Sequence, residues 1–431
     1  MIGPFRYIGG QLTIESVPLS SIAAAVGTPA YVYSAAGMRD RLKTLKDAFA
    51  GQRMTICYAI KANSNIGVIR TLADAGAGAE IVSGGELQKA LRAGVPADSI
   101  MFAGVAKSKD EMALALDAGI AQFNVESVPE LIALSEVAAA RKAIAPIAIR
   151  INPDVVADTH DKISTGRRDD KFGIAYEQAR DVYSMAARLA GIEPVGVHLH
   201  IGSQIMSLAP FEAAYQRGAD LVRDLRADGI DIRRLDLGGG MGVRYRGDAR
   251  LDVAAYAELV QRITGDLDVD LLLEPGRYLV AEAGVMLAKV IYLKEGSERP
   301  FAILDAGMND LLRPALYDAY HEILPLEEPA ADVEPRPVDV VGPICESSDI
   351  FARGRMLPPL QAEDLVAFLG AGAYGAVMAS DYNARPLAAE VLVDGSRYSV
   401  IRPRLAPIDR FSDERLPDWL EMPSLERGKA C

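Results

Sequence analysis

Cysteine is scarce in this chain and positive charge is in deficit. Three cysteines, Cys57, Cys345 and Cys431, are too few for a disulfide framework, and their number is odd. That points to a reduced, cytoplasmic protein. Lys and Arg number 46 against 59 Asp and Glu, a formal net charge of −13. Nucleic acid and anionic membranes are therefore not expected as partners. No uncharged apolar run of about 18 residues occurs, so no transmembrane span is expected. The N-terminus, Met1-Ile2-Gly3-Pro4-Phe5-Arg6, lacks the basic region and apolar stretch of a signal peptide. There is no low-complexity segment, no internal repeat beyond a β/α alternation, and no metal site is expected.

What is present is apolar and periodic. Half of the 431 residues are hydrophobic, ample for a sizeable core and enough chain for a large barrel plus a second domain. Eight short apolar runs read as buried strands: Met54–Ile60, Ala79–Val82, Ile100–Ala103, Gln122–Val125, Ile147–Ile151, Val195–Leu199, Arg234–Leu237 and Asp270–Leu273. Helical patterns such as Lys109–Ala118, Val128–Ala140, Pro210–Ala227 and Val253–Ile263 lie between them. Eight strand–helix units in about 230 residues fit a (β/α)8 TIM-like barrel better than a doubly wound sheet.

After Gly284 the texture changes to strands between Gly, Pro and acidic turns: Val285–Leu293, Phe301–Asp305, Val338–Val341, Asp364–Phe368 and Val391–Ile401. The fold class is thus α/β, a barrel followed by a mostly-β domain. The expected division is 1–36 as a segment joining the β domain, 37–285 as the barrel and 286–431 as the β domain. Ala30-Tyr31-Val32-Tyr33 would pair with the latter. Residues 327–337 read as a surface loop, and the tail from Ser412 is polar.

Barrel active sites lie where the strands end, at their C-terminal rim. There the chain places Lys61, Arg150, His200 with Ser203, Gly238-Gly239-Gly240, and Glu274-Pro275-Gly276-Arg277. A lysine closing a buried strand is costly to keep as a cation, so its amine is expected to be neutral and nucleophilic, as a Schiff base with an aldehyde requires. A glycine run after strand seven suits a phosphate, though it also suits a plain tight turn. His198 and His200 are expected to face opposite sides of their strand, one packing outside the barrel and one pointing in. Downstream, Arg313 and Tyr317 would share one face if helical. Cys345-Glu346 and the turn Gly370–Gly375 with Tyr374 follow. A free cysteine is more often a small buried hydrophobe.

Taken together, these stretches resemble the fold-type III PLP-dependent decarboxylases. The matching motifs are Tyr58-Ala59-Ile60-Lys61-Ala62-Asn63, Val82-Ser83-Gly84-Gly85-Glu86, His198-Leu199-His200-Ile201-Gly202-Ser203, Leu237-Gly238-Gly239-Gly240, Glu274-Pro275-Gly276-Arg277, Arg313-Pro314-Ala315-Leu316-Tyr317, Cys345-Glu346-Ser347-Ser348-Asp349 and Gly370–Gly375. They run in the family's order over residues 30–410. The resemblance implies that Lys61 carries pyridoxal 5'-phosphate and His200 stacks on its ring. Gly239, Gly240, Ser203 and the backbone of 274–277, Gly276 included, would hold its phosphate. Glu274 would meet its ring nitrogen, which favours decarboxylation over racemisation. Arg277, Arg313, Tyr317 and Glu346 would bind substrate, and Tyr374 would touch both. Cys345 would protonate the product carbon from a neighbouring subunit, implying a homodimer with shared sites.

Two arginines and Glu346 suit an amino-acid head at the substrate's far end. The activity implied is conversion of meso-2,6-diaminopimelate to L-lysine and carbon dioxide, the last step of lysine biosynthesis. Other basic amino-acid or carboxynorspermidine decarboxylases, or a non-catalytic PLP carrier, are the alternatives; a carrier would not need residues 286–431. Glu80 and Asp170 depart from the family pattern, both in supporting positions. A lid within 153–171 is left open.

Overall fold

The computed structural model describes residues 3–155, 171–247 and 250–420. Asp170 and most of the 153–171 segment lie outside the described residues. Eight parallel strands close into a barrel: Met54–Ala59, Gly78–Ile81, Ile100–Phe102, Gln122–Val125, Ala145–Asn152, Ile192–Leu199, Arg234–Asp236 and Asp270–Leu273. The eighth strand pairs with the first, Leu271 beside Met54, and the fourth with the fifth, Phe123 beside Ile147. Each expected strand is present, because a strand covered on both faces is mainly apolar, with Glu80, Gln122, Asn124 and Asp236 as buried exceptions.

Three successive helices begin alike. Ser83, Ser108 and Ser127 each accept a hydrogen bond from the backbone N–H three residues on. Ser108 and Glu111 complete a reciprocal cap. These caps end the rim loops abruptly and keep them short, which holds the strand ends in fixed positions.

Side chains alternate along each strand, so inward positions fall two apart. The interior is apolar at one level, where Cys57, Met101 and Leu272 cluster. Nearer the rim it is polar: Glu80, Asn124, His198, Asp236 and Glu274 are all buried. Polar groups in a barrel core are costly unless they are partnered, which marks this level as built for something other than packing.

A second sheet runs in the order Ile350–Leu357, Arg336–Val341, Phe301–Leu304, Gly284–Lys294, Ala30–Ser34, Ala389–Asp394, Arg397–Arg402. Leu365–Leu369 also pairs with Gly284–Lys294. Ala30–Ser34 thus lies inside this sheet, antiparallel to one neighbour and parallel to the other. The run Val391–Ile401 is two strands, not the single one expected. Asp394 pairs with Arg397 across Gly395, which has φ of +66°, and a left-handed glycine of this kind makes a two-residue hairpin turn. Residues 327–337 are exposed, although Arg336 already begins a strand. No helix among the described residues is long and apolar enough to cross a membrane.

Candidate active site

Lys61 stands in a single helical turn, Ile60–Ala62, that ends the first barrel strand. Its Nζ donates to Glu80 Oε1 at 2.9 Å. The side chain keeps 36% of its surface accessible because it opens into a cavity. Burial lowers the amine's pKa, but Glu80, Tyr374 and Glu274 outweigh it and hold the amine above its ordinary range. The expectation of a neutral amine is therefore corrected: acidic neighbours surround this strand end, and they stabilise the cation. Glu80, noted above only as a departure from the family pattern, is the direct partner of Lys61.

His198 and His200 share one face, contrary to the expectation of opposite sides. Residues two apart on a strand point the same way. His198 Nε2 lies 3.2 Å from Glu274 Oε2 inside the barrel, and His200 lines the cavity above it. Burial lowers both imidazole pKa values, that of His198 to about 4, so both rings are neutral near pH 7.

Glu274 is 4% exposed. Asn124 Nδ2 donates to its Oε1 at 3.1 Å and to Asp236 Oδ2 at 3.3 Å. Burial raises both carboxyl pKa values, Glu80 adding to the effect at Glu274 and Glu274 at Asp236. Two carboxyls this close titrate as a pair and retain a proton into the neutral range. Asp236 Oδ1 also accepts from the Gly238 N–H at 3.0 Å, tying this acid pair to the glycine run.

That run is a close-approach device. A Cβ on Gly239 would stand 2.4 Å from the Glu274 carbonyl oxygen, and one on Gly240 (φ +105°) 2.7 Å from that of Gly202. Gly276 packs on Ala59 and Ala62. Ser203 Oγ accepts from Arg277 Nε at 3.3 Å and Nη2 at 3.1 Å.

Arg313 and Tyr317 occupy a five-residue helix, Arg313–Tyr317. Both face the cavity with Arg277 and Tyr374. The Arg277 guanidinium stacks 4.7 Å from the Tyr374 ring centroid. Tyr374 has φ of +57° and donates its N–H to the Ala62 carbonyl at 2.8 Å. Gly372 lets that turn approach the barrel, since a Cβ there would sit 1.9 Å from the Val280 oxygen. Gly372→Ala is expected to cost about 3 kcal/mol or more by overpacking against backbone, read as a lowered thermal midpoint.

Lys61, Glu80, His200, Ser203, Arg277, Arg313, Tyr317 and Tyr374 thus surround one cavity of about 620 Å³. Cys345 and Glu346 are not among its lining. Both are exposed, Glu346 accepting from the hydroxyls of Tyr382 and Ser348. Arg150, Phe172, Tyr245 and Tyr320 line the cavity without having been assigned from sequence. Arg150 was visible as a strand-five terminus. Tyr245 lies in the loop after strand seven, where position on the rim was the available signal.

A family model for the pyridoxal-dependent decarboxylase, pyridoxal binding domain, matches residues 35–281. The diaminopimelate decarboxylase of Zymomonas mobilis is 46% identical over 97% of this chain and 100% of its own length. That of Pseudomonas aeruginosa is 47% identical over 96% of this chain and 99% of its own. The crystal structure of diaminopimelate decarboxylase from Helicobacter pylori complexed with L-lysine superposes with a TM-score of 0.88 at 41% identity, over 91% of this chain and 98% of that one. The enzyme from M. jannaschii, in co-complex with L-lysine, gives 0.92 at 37% identity over 98% of this chain and 100% of that one. With its barrel, its second sheet and its near-complete coverage of these relatives, this chain belongs to the pyridoxal-dependent decarboxylases, within the diaminopimelate decarboxylase branch.

Proposed function

We propose that this chain decarboxylates meso-2,6-diaminopimelate to L-lysine and carbon dioxide, using pyridoxal phosphate held at Lys61. The observation that carries the substrate is the pair Arg277 and Arg313. They are 8% and 6% exposed, face Lys61 across one cavity, and among the described residues have serine, tyrosine and histidine but no carboxylate as partners. Two buried guanidiniums without a carboxylate call for an anionic ligand.

The residues fit the cofactor. Glu80 Oε2 and His198 Nδ1 are buried with no hydrogen-bond partner among the described residues. Gly239 and Gly240 sit where a side chain would collide with backbone. Lys61, Glu274 and the glycine cradle offer an amine, a proton-bearing carboxyl and room for a phosphate. When bound, the cofactor supplies the electron sink for charge left on the substrate's α carbon. Glu80 Oε1 is placed to take the proton that Lys61 Nζ must shed to become nucleophilic. Glu274, backed by His198 and Asn124, would hold the cofactor's ring nitrogen and keep a proton there. His200, which lines the cavity, would cover one face of the cofactor ring and keep water from it. Arg277, Arg313, Tyr317 and Tyr374 orient the substrate's far end.

Cys345 and Glu346 act, in this proposal, in the cavity of a second copy. Their exposure in the single chain supports that placement. The enzyme is then a homodimer with shared sites, Cys345 Sγ delivering a proton to the α carbon and Glu346 meeting the substrate ammonium. Cys57 and Cys345 are free thiols, consistent with a cytoplasmic enzyme. The carrier alternative loses support because Arg313, Tyr317 and Tyr374, all beyond residue 285, line the cavity.

Product identification with a panel of diamino acids tests the substrate. Lysine and carbon dioxide are expected from diaminopimelate, with little turnover of ornithine or arginine. Equal turnover of ornithine would overturn the assignment.

A further inference from the structure

Arg277 and Arg313 present a physical problem that the substrate does not solve until it arrives. Two buried guanidinium charges on one cavity repel each other, and no carboxylate among the described residues compensates them. The ring of Tyr245 is within reach of both. Its centroid is 6.0 Å from the Arg277 guanidinium carbon and 4.6 Å from that of Arg313. The negative face of an aromatic ring attracts such cations. The phenol oxygen adds an acceptor, taking a hydrogen bond from Arg277 Nη1 at 3.0 Å. The field of the two arginines is strong enough to outweigh burial and lower the phenol's pKa.

The ring is itself fixed from behind. Gly370, at φ +69°, lies so close that a Cβ there would meet the Tyr245 ring at 3.1 Å. His321 packs edge-on at 5.6 Å and 74°. The imidazole is 2% exposed and makes one contact at each nitrogen. Nδ1 donates to the Leu369 carbonyl at 2.8 Å, which leaves the Nε2 lone pair to accept from Arg313 Nη1 at 2.8 Å. Burial, then Arg313, lower the His321 pKa to about 3. The ring therefore stays neutral and adds no third positive charge.

We infer that Tyr245, seated on Gly370 and His321, is a positioning residue that holds Arg277 and Arg313 at the spacing needed to grip a carboxylate at the substrate's far end. It thereby sets the preference for amino acids that carry such a carboxylate. The inference rests on the diaminopimelate assignment above.

The test compares Tyr245→Phe and Tyr245→Leu in the cofactor-loaded enzyme. Loading is checked by cofactor absorbance. Steady-state kinetics with diaminopimelate are measured beside inhibition by L-lysine, which keeps the far carboxylate, and by cadaverine, which has none. Tyr245→Leu is expected to raise KM for diaminopimelate and Ki for lysine about tenfold, with kcat changed far less and Ki for cadaverine unmoved. Tyr245→Phe keeps the ring and should recover most of that loss. A Leu variant with KM and lysine Ki within about twofold of wild type would overturn the inference. So would a loss confined to kcat, an equal rise for cadaverine, or a Phe variant as impaired as Leu. If Tyr245→Leu does not load, Tyr245→Met takes its place under the same criteria. Failure of the wild type itself to turn over diaminopimelate would instead remove the substrate assignment.

Discussion

Lys61→Ala is expected to give a colourless protein with turnover reduced by at least about a thousandfold, because the variant loses the amine proposed to bond the cofactor and with it the group that substrate would displace. The rest of the pocket should survive. The glycine cradle is set by backbone, with Glu274 donating its N–H to the Gly238 carbonyl at 2.8 Å, and none of it depends on the lysine side chain. The variant should therefore still take up the cofactor weakly and without the absorbance of the lysine-bound form. Removing Lys61 also leaves Glu80 buried and without its cation, so Lys61→Ala, Glu80→Gln should be more stable than Lys61→Ala alone. Absorbance, equilibrium dialysis and thermal melts of the two proteins make these checks. A yellow Lys61→Ala protein with normal turnover would dismiss the cofactor site altogether.

The second large effect concerns the exposed pair outside the cavity. Cys345→Ala should retain cofactor and colour but lose about a hundredfold or more in kcat, the usual scale for removing a general acid. If its thiol serves the other protomer's site, two dead enzymes should rescue each other. Lys61→Ala supplies an intact Cys345, and Cys345→Ala supplies an intact Lys61. Dissociated and remixed in equal amounts, half of the dimers are mixed and each has one complete site. About a quarter of wild-type activity should return. No recovery, with mixed dimers demonstrated, would mean that Cys345 acts within its own chain or not at all.

The barrel was legible because its strands are short, mostly apolar runs set between helical patterns, even where Gln122, Asn124 and Asp236 put polar groups inside. The hairpin at Ala389–Asp394 and Arg397–Arg402 was not. Alternating residues continue through the turn, and Gly395 carries the break alone. Lys61, Glu274, Arg277 and Arg313 could be picked out because each stands where an apolar segment ends in an isolated charge. Their electrostatic state could not. The cationic Lys61 depends on Glu80, Tyr374 and Glu274, three residues brought together only by barrel closure and by the turn at Gly372. The two histidines show a different shortfall. Their sharing of one face follows from strand periodicity, and the sequence contains that information in full. Tyr245 was missed because a tyrosine in a rim loop resembles many surface tyrosines until two arginines from different segments are seen within reach of its ring.

The strand Ala30–Ser34 has a consequence for biosynthesis. It lies between Gly284–Lys294 and Ala389–Asp394, so a segment translated near the start must wait for residues translated near the end. Throughout that interval the emerging barrel can fold, its strands being consecutive in sequence. The early segment meanwhile keeps two unpaired edges, carrying Tyr31, Val32 and Tyr33. Such edges attract wrong partners. The Gly370–Gly375 turn and Tyr374 come from this late-assembling part, so the nascent chain can shape its cofactor cradle well before it can bind substrate. Removing residues 30–34 would take an interior strand from this sheet, and removing residues 389–402 the two strands that lie beyond it.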